Sequence, residues 1–90
     1  MNRTMTHQCV DIAKTFGVKR LILFGSALES PETAADLDVA CEGLDGWDLF
    51  RFGAKLEEEL GTRVDVVPLR PDDRFSQYVA QRGRILYEAD

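Results

Sequence analysis

The stretch LILFGSALESPETAADLDVA, residues 21–40, decides the fold of this 90-residue chain. Its first four residues form a continuous apolar run of the kind found in buried strands. The run ends at Gly25-Ser26, and a second strand pattern begins at Asp36-Leu37-Asp38. The stretch therefore predicts two strands joined through a Gly-Ser loop, with two acids at the start of the second strand.

The two acids are placed in a way that folding alone does not explain. Because side chains alternate along a strand, Asp36 and Asp38 project from one face while Leu37 and Val39 point into a core. Two carboxylates this close repel each other, and a divalent cation removes the repulsion. Oxygen-only ligands suit Mg²⁺ or Mn²⁺, which share their remaining coordination sites with water and substrate phosphate.

A third acid lies in the later β-branched run Arg63-Val64-Asp65-Val66-Val67. If this strand is a neighbour of the second strand, Asp65 joins Asp36 and Asp38. Three carboxylates are what a two-metal site needs, with one metal activating an attacking hydroxyl and the other stabilising a pyrophosphate leaving group. In that scheme Asp65 is the ligand on the catalytic side and the base.

Gly25 and Ser26 stand where a phosphate-binding loop would follow the first strand. Glycine lets a phosphate approach the backbone closely, and the Ser26 hydroxyl can donate a hydrogen bond to the β- or γ-phosphate. Backbone N–H groups at a junction between a strand and a helix also cradle phosphate oxygens. The pair predicts nucleoside triphosphate binding only in combination with the acids that follow it.

Together, the Phe-Gly-Ser after an apolar strand, the Asp-Leu-Asp that follows and the later strand with Asp65 resemble the DNA polymerase β-type nucleotidyltransferases. The resemblance is strongest to the minimal, single-domain nucleotidyltransferases (MNT). It implies that Gly25 and Ser26 hold the triphosphate of ATP, that Asp36 and Asp38 bind two Mg²⁺ ions, and that Asp65 completes the site. It also implies a mixed sheet and a HEPN-domain ribonuclease toxin as partner, with this chain as the antitoxin that transfers AMP to a tyrosine of the toxin.

One departure from the family pattern keeps a second hypothesis open. Relatives carry arginines just after the Gly-Ser, whereas here residues 27–35 contain two acids, Glu29 and Glu32, and no cation. The alternative is a binding module that keeps the scaffold without turnover and neutralises a toxin by masking it. Transfer of a nucleotide to a small molecule is a third possibility, but the chain has no room for a substrate domain.

The rest of the chain predicts an α/β (α+β) domain over residues 1–90, with a small sheet flanked by helices. The expected elements are a first helix with an apolar stripe from Met5 to Phe16 that ends at Gly17, strands at Lys19–Phe24 and Arg63–Val67, a helix over Gly46–Leu60, a last helix over Asp72–Arg82 and a short edge strand at Arg84–Glu88. Asp45 and Asp48 resemble a helix cap, with Leu49, Phe52, Leu56 and Leu60 as an inner stripe. Phe75, Tyr78 and Val79 are expected to point inward from the last helix.

Other conspicuous side chains have ordinary structural interpretations. Cys9 and Cys41 are expected to be buried thiols, since neither has a partner at metal-ligand spacing. His7 and the acids Glu57-Glu58-Glu59 are expected on solvated helix faces. Trp47 is a possible interface anchor, and Arg82 and Arg84 are candidates for phosphate or partner contacts.

Composition excludes several classes of function. With 16 acidic and 11 basic residues the net charge is −5, which argues against binding to the phosphate backbone of DNA or RNA and suits a basic protein partner. The 44% hydrophobic content and the absence of a long apolar run predict a cytoplasmic globular protein with no membrane span. A domain this small also gains stability from a partner or a second copy, so a homo-oligomer is possible.

Overall fold

The computed structural model of the chain describes residues 2–29 and 36–89. Helices and strands alternate along it. In chain order they are α1 (Arg3–Phe16), β1 (Arg20–Phe24), α2 (Ser26–Glu29), β2 (Asp36–Glu42), α3 (Gly46–Leu60), β3 (Arg63–Pro68), α4 (Arg74–Arg82) and β4 (Arg84–Glu88). These elements confirm the predicted α+β class, with boundaries that differ from the sequence prediction by at most two residues.

The four strands form one mixed sheet in the order β3-β2-β1-β4. β1 pairs antiparallel with both β2 and β4, whereas β2 and β3 are parallel. The parallel pair needs a crossover, which α3 provides. The mixed sheet implied by the family resemblance is confirmed, and so is the edge strand predicted at Arg84–Glu88.

Helix α1 forms and ends as its sequence predicts. The side chain of Asn2 accepts a hydrogen bond from the Met5 N–H at 2.8 Å, which satisfies one of the free donors of the first turn. Gly17 ends the helix in the left-handed conformation, with a φ of 77°. Cys9 and Ile12 are buried on its inner stripe.

Helix α3 has the predicted bounds and the predicted inner stripe. Phe52 and Leu56 are fully buried, and Leu49 and Leu60 pack against them. The predicted cap is wrong in detail, because the Asp45 side chain makes no capping hydrogen bond. The helix begins instead with bonds from backbone N–H groups to the Asp45 carbonyl oxygen.

Helix α4 begins two residues later than predicted, and it buries a partly different set of side chains. Asp73 is its N-cap, accepting hydrogen bonds from the backbone N–H and the hydroxyl of Ser76. The Ser76 hydroxyl also accepts a bond from the Arg70 N–H at 2.8 Å, so this small polar residue, fully satisfied, takes the buried position. The prediction that Phe75 and Tyr78 point inward is wrong, since 44% of Phe75 and 57% of Tyr78 are exposed, whereas the prediction for Val79 is confirmed, since it is fully buried.

The sheet separates two clusters of buried side chains. The α1/α3 face of the sheet is packed by those two helices, and its strand residues are Leu21, Leu23, Leu37, Val39, Cys41 and Val64. The α4 face carries a smaller cluster, formed by Ile22, Ala40, Leu69 and Val79. Cys9 and Cys41 are both buried free thiols in the larger cluster, as predicted.

Within the described residues, no helix is both long enough and apolar enough to cross a membrane.

Candidate active site

The predicted alternation at the start of β2 is present in the structure. Leu37 and Val39 are buried in the larger cluster, while Asp36 and Asp38 are half-buried on the opposite, α4 face. β1 lies on one side of this segment, where Phe24 is the register partner of Asp38. The first two predicted site residues therefore share one face, next to an aromatic ring.

The parallel pairing of β2 and β3 brings the third acid to the same place. In this register Asp38 is opposite Asp65, and Asp36 is opposite Arg63. Directly opposite residues of neighbouring strands project to the same face and lie about 5 Å apart. Asp36, Asp38 and Asp65 thus form one group of carboxylates on the α4 face.

The Gly-Ser loop touches this group directly. Gly25 has a φ of 75°, and a Cβ atom at this position would lie 2.5 Å from Oδ2 of Asp38. Only glycine meets both requirements without strain. Ser26 is exposed and begins the short helix α2, whose Leu28 N–H donates to the Gly25 carbonyl oxygen at 3.1 Å. The rest of the cation-free segment, residues 30–35 with Glu32, lies outside the described residues.

The surroundings of Asp38 affect its ionisation. Burial, and then the charges of Asp65 and Asp36, raise the pKa of Asp38. Asp65 has a counter-charge, because its Oδ1 lies 3.7 Å from Nε of Arg63. The excess negative charge beside Asp38 is what a bound cation would neutralise.

The donor chemistry of the three acids fits Mg²⁺ or Mn²⁺, since every ligand would be a carboxylate oxygen. Their side chains are not already gathered around a common point: within residues 2–29 and 36–89, no group of three or more acidic, histidine or cysteine side chains is arranged to hold a metal ion. One oxygen of Asp65 is paired with Arg63. The metal-ligand roles of Asp36, Asp38 and Asp65 thus stay a prediction.

An open cleft of about 830 Å³ runs past the carboxylates and around the edge strand β3. This volume lies in the usual range for a small-molecule site. On the α4 face it is lined by Asp38 and Asp65 together with Phe24, Val67 and Phe75. On the other side of β3 it is lined by residues of α3 with Val64 and Val66.

Sequence reasoning missed the aromatic part of this cleft and the close approach of α3 to β3. The sequence pattern predicts an inward Phe75, which the structure contradicts. The signal for the close approach was Gly53, a glycine in the middle of a helix, where a Cβ atom would lie 3.2 Å from Val66 Cγ2.

The side chains that received ordinary interpretations are outside the group of carboxylates. His7 is exposed on α1, as predicted. Glu58 and Glu59 are solvated, and Glu59 pairs with Lys55 at 3.0 Å. Glu57 has a role that was not predicted, since its Oε2 accepts a hydrogen bond from the Val64 N–H at the edge of β3.

Of the two arginines proposed for phosphate or partner contacts, Arg82 contacts an aromatic ring of its own helix. The Arg82 guanidinium lies over the Tyr78 ring, 5.4 Å from its centre. No structural observation tests whether Arg82 or Arg84 contacts phosphate, so that remains a prediction.

No protein-family model matches the chain, and no curated protein sequence matches it. Solved structures do match its fold. A toxin–antitoxin structure with AMP-PNP has a TM-score of 0.78 at 23% identity, covering 94% of this chain and 74% of the other. A structure of tri-AMPylated HEPN toxin from Shewanella oneidensis in complex with MNT antitoxin has a TM-score of 0.76 at 23% identity, covering 99% and 74%.

A third match is to a protein assigned to the minimal nucleotidyltransferases. Its TM-score is 0.70 at 28% identity, and the match covers 90% of this chain and 88% of the other. The agreement extends over most of both chains. The chain therefore has the minimal nucleotidyltransferase fold, and the resemblance predicted from its sequence is confirmed.

Proposed function

We propose that this protein is a Mg²⁺-dependent nucleotidyltransferase that moves AMP from ATP to a tyrosine hydroxyl of a HEPN-type ribonuclease toxin, and so acts as the antitoxin. One observation carries the proposal. The Gly25 backbone lies against the Asp38 carboxylate, and Asp38 is in register with Asp65 on the same face of the sheet. The Gly-Ser loop and the group of acids are thus adjacent, and two of the acids line the cleft.

Each of the site residues has its own role in this proposal. Gly25 and Ser26 bind the β- and γ-phosphates, Asp36 and Asp38 hold the metal ions, and Asp65 completes the ligand set. Bound Mg²⁺ supplies Lewis-acid stabilisation of the charge that develops on the phosphates. The acidic side chains would otherwise repel the triphosphate, so ATP binding should depend on the metal.

The transfer step balances without a further reagent. The acceptor hydroxyl oxygen forms a bond to the α-phosphorus while the bond from that phosphorus to the bridging oxygen of the β-phosphate breaks. Pyrophosphate leaves, and Asp65 accepts the hydroxyl proton. Asp65 suits this role because it lies on β3, at the exposed edge of the sheet where an acceptor can approach.

Two features of the surface support a protein acceptor. Trp47 and Phe50 are 72% and 54% exposed, and their rings form an edge-to-face pair with centres 5.1 Å apart. Exposed aromatic pairs are common anchors of protein interfaces. The net charge of −5 also favours a basic partner.

The matched proteins support the same assignment. One of the matched structures pairs an MNT antitoxin with a HEPN toxin that carries AMP groups. Another is a variant of a toxin–antitoxin pair in which two aspartates, separated by one residue, are replaced by glutamate. An Asp-x-Asp pair is the feature that Asp36 and Asp38 provide here.

The second candidate is a binding module that neutralises the toxin by masking it without turnover. The segment after Ser26 favours it, because residues 27–35 provide acids and no cation for a triphosphate. An arginine contact with phosphate is worth about 1.5–3 kcal/mol, and its loss would weaken ATP binding. This candidate predicts neutralisation without ATP.

The experiment that separates the two is mass spectrometry of the partner toxin after incubation with this protein, ATP and Mg²⁺. We expect an AMP adduct with the wild-type protein and at least a hundredfold less with Asp36→Asn, since the metal contributes several kcal/mol to such reactions. Asp45→Asn is the matched control, because Asp45 is exposed and makes no side-chain capping bond.

The thermal melt of Asp36→Asn should stay at or above that of the wild type, because the change removes carboxylate repulsion. Undiminished transfer by Asp36→Asn would refute the assigned metal site. A stable complex that neutralises the toxin with no adduct from any variant would establish the masking module instead.

A further inference from the structure

Phe75 is a large aromatic side chain left exposed inside the cleft. It is 44% exposed, and its ring meets the Phe24 ring edge to face, with centres 5.5 Å apart and planes at 80°. Phe24 is the register partner of Asp38, so this aromatic pair is directly beside the carboxylates. The ring leaves apolar surface exposed to solvent, and it belongs to neither of the two buried clusters.

The position of Phe75 relative to the sheet indicates what could contact it. Asp36, Asp38 and Asp65 are on the α4 face, so an α-phosphate held there brings its nucleoside to that same face. Phe75 projects from α4 and lines the cleft on this face. Phe50 of α3 also lines the cleft, but from the opposite face of the sheet, so a nucleoside joined to that phosphate would have to pass around the edge strand β3 to reach it.

The described polar side chains that line the cleft are all acidic. They are the carboxylates of Asp38, Asp65 and Glu57, and the Glu57 carboxylate is engaged by the Val64 N–H. On the α4 face, the exposed ring of Phe75 offers a planar heterocycle an apolar surface on which to stack. Stacking on such a ring tolerates every base, because each base has a π-face.

We propose that Phe75 is the platform on which the nucleobase of the bound triphosphate stacks, so that the base is held by α4 while its phosphates lie at Gly25 and the carboxylates. This inference rests on the proposed function, because it takes a nucleoside triphosphate as the ligand. It adds to that function the residue that binds the nucleoside part. It also assigns the open side of α4 to the nucleotide and leaves the aromatic pair of α3 to a protein partner.

The test is calorimetric binding of two probes, ATP with Mg²⁺ and inorganic tripolyphosphate with Mg²⁺. We expect Phe75→Ala to weaken ATP binding about tenfold, the usual scale of lost base stacking, and to leave tripolyphosphate binding unchanged. Phe75→Trp should restore ATP binding, since it keeps an aromatic platform. Tyr78→Ala is the matched control: Tyr78 is an exposed ring on the same helix, but it does not line the cleft.

Each other outcome overturns the inference. ATP binding that is unchanged in Phe75→Ala, or a parallel loss for both probes, would show that Phe75 does not contact the base. Weaker binding of the toxin with unchanged ATP affinity would assign Phe75 to the protein partner.

The same data separate failure of this inference from failure of the proposed function. ATP that binds through Phe75 but is not transferred would refute only the enzyme. If the wild type binds neither probe, both proposals are wrong.

Discussion

The two faces of the sheet differ in how much of their surface is covered. On the α1/α3 face, Leu21, Leu23 and Val39 are almost completely buried beneath Phe52 and Leu56. On the α4 face, the nine-residue helix α4 covers only one end, where Val79 packs with Ile22, Ala40 and Leu69. The other end, which carries the three acids, Phe24 and Phe75, opens into the cleft.

The comparison shows that one strand can supply side chains both to the hydrophobic core and to a candidate active site. Alternate residues of β2 contribute Leu37 and Val39 to the larger core and Asp36 and Asp38 to the candidate site. Substitutions on the α1/α3 face should therefore change the free energy of unfolding, and substitutions at the open end of the α4 face should change ligand binding. Three experiments examine that division.

The largest expected effect comes from removing the same side chain on each face. Phe52 is fully buried and packs edge to face with Phe16, so Phe52→Ala should lower the free energy of unfolding by about 3–5 kcal/mol. Phe75→Ala removes a half-exposed ring and should cost about 1 kcal/mol or less. Urea denaturation of both variants beside the wild type measures the difference.

A loss in Phe75→Ala equal to that in Phe52→Ala would show that the two faces do not differ in this way. In that case Phe75 would be a core residue, and its exposure would not mark a ligand site.

An intermediate effect is expected from two glycines that share a backbone conformation. Gly17 and Gly25 have φ values of 77° and 75°, so an alanine at either position should cost about 1–2 kcal/mol through left-handed strain. A Cβ atom at Gly17 would meet nothing within 4 Å, whereas at Gly25 it would meet the Asp38 carboxylate. Gly25→Ala should therefore cost about 1 kcal/mol more and displace that carboxylate.

Calorimetric binding of ATP with Mg²⁺ gives the second readout for this pair. Gly25→Ala should lose binding while Gly17→Ala keeps it. Equal ATP affinity in the two variants would show that the contact between the Gly-Ser loop and the carboxylates does not contribute to ATP binding.

The smallest expected effect is a pH dependence of the free energy of unfolding, caused by the two thiols buried on the α1/α3 face. Burial raises the pKa of the Cys9 thiol to about 11 and that of Cys41 to about 12. In the unfolded chain both thiols ionise near their ordinary value of 9.0, so the unfolded state loses protons first and stability falls as pH rises above 9. The loss should be up to about 1 kcal/mol per thiol over the first pH unit.

The measurement is urea denaturation at about pH 8, 9 and 10, for the wild type and for a Cys9→Ala, Cys41→Ala double variant. The double variant loses packing at every pH, but its stability should decline less steeply. If the free energy of unfolding falls equally steeply with pH in both proteins, burial does not raise the pKa of the two thiols. A thiol reagent should also label both cysteines only after denaturation, because buried neutral thiols react slowly.

Local signals in the sequence were sufficient for most elements. The apolar stripe of α3 and the glycine after it gave its bounds as Gly46–Leu60, and Gly17 marked the end of α1. Alternation alone placed Asp36 and Asp38 on one face. These features depend on neighbours within a few residues, so they can be inferred without knowledge of the rest of the chain.

The sequence alone thus determined the fold class, the strand that carries two acids, the Gly-Ser loop and the family resemblance. Only the tertiary structure decided that β2 and β3 are parallel with Asp38 opposite Asp65, that Gly25 lies against Asp38, and that Phe75 is exposed. The first group depends on local periodicity. The second depends on strand register and on the rotation of α4, in which Val79 and the hydrogen-bonded Ser76 take the buried positions and Phe75 does not.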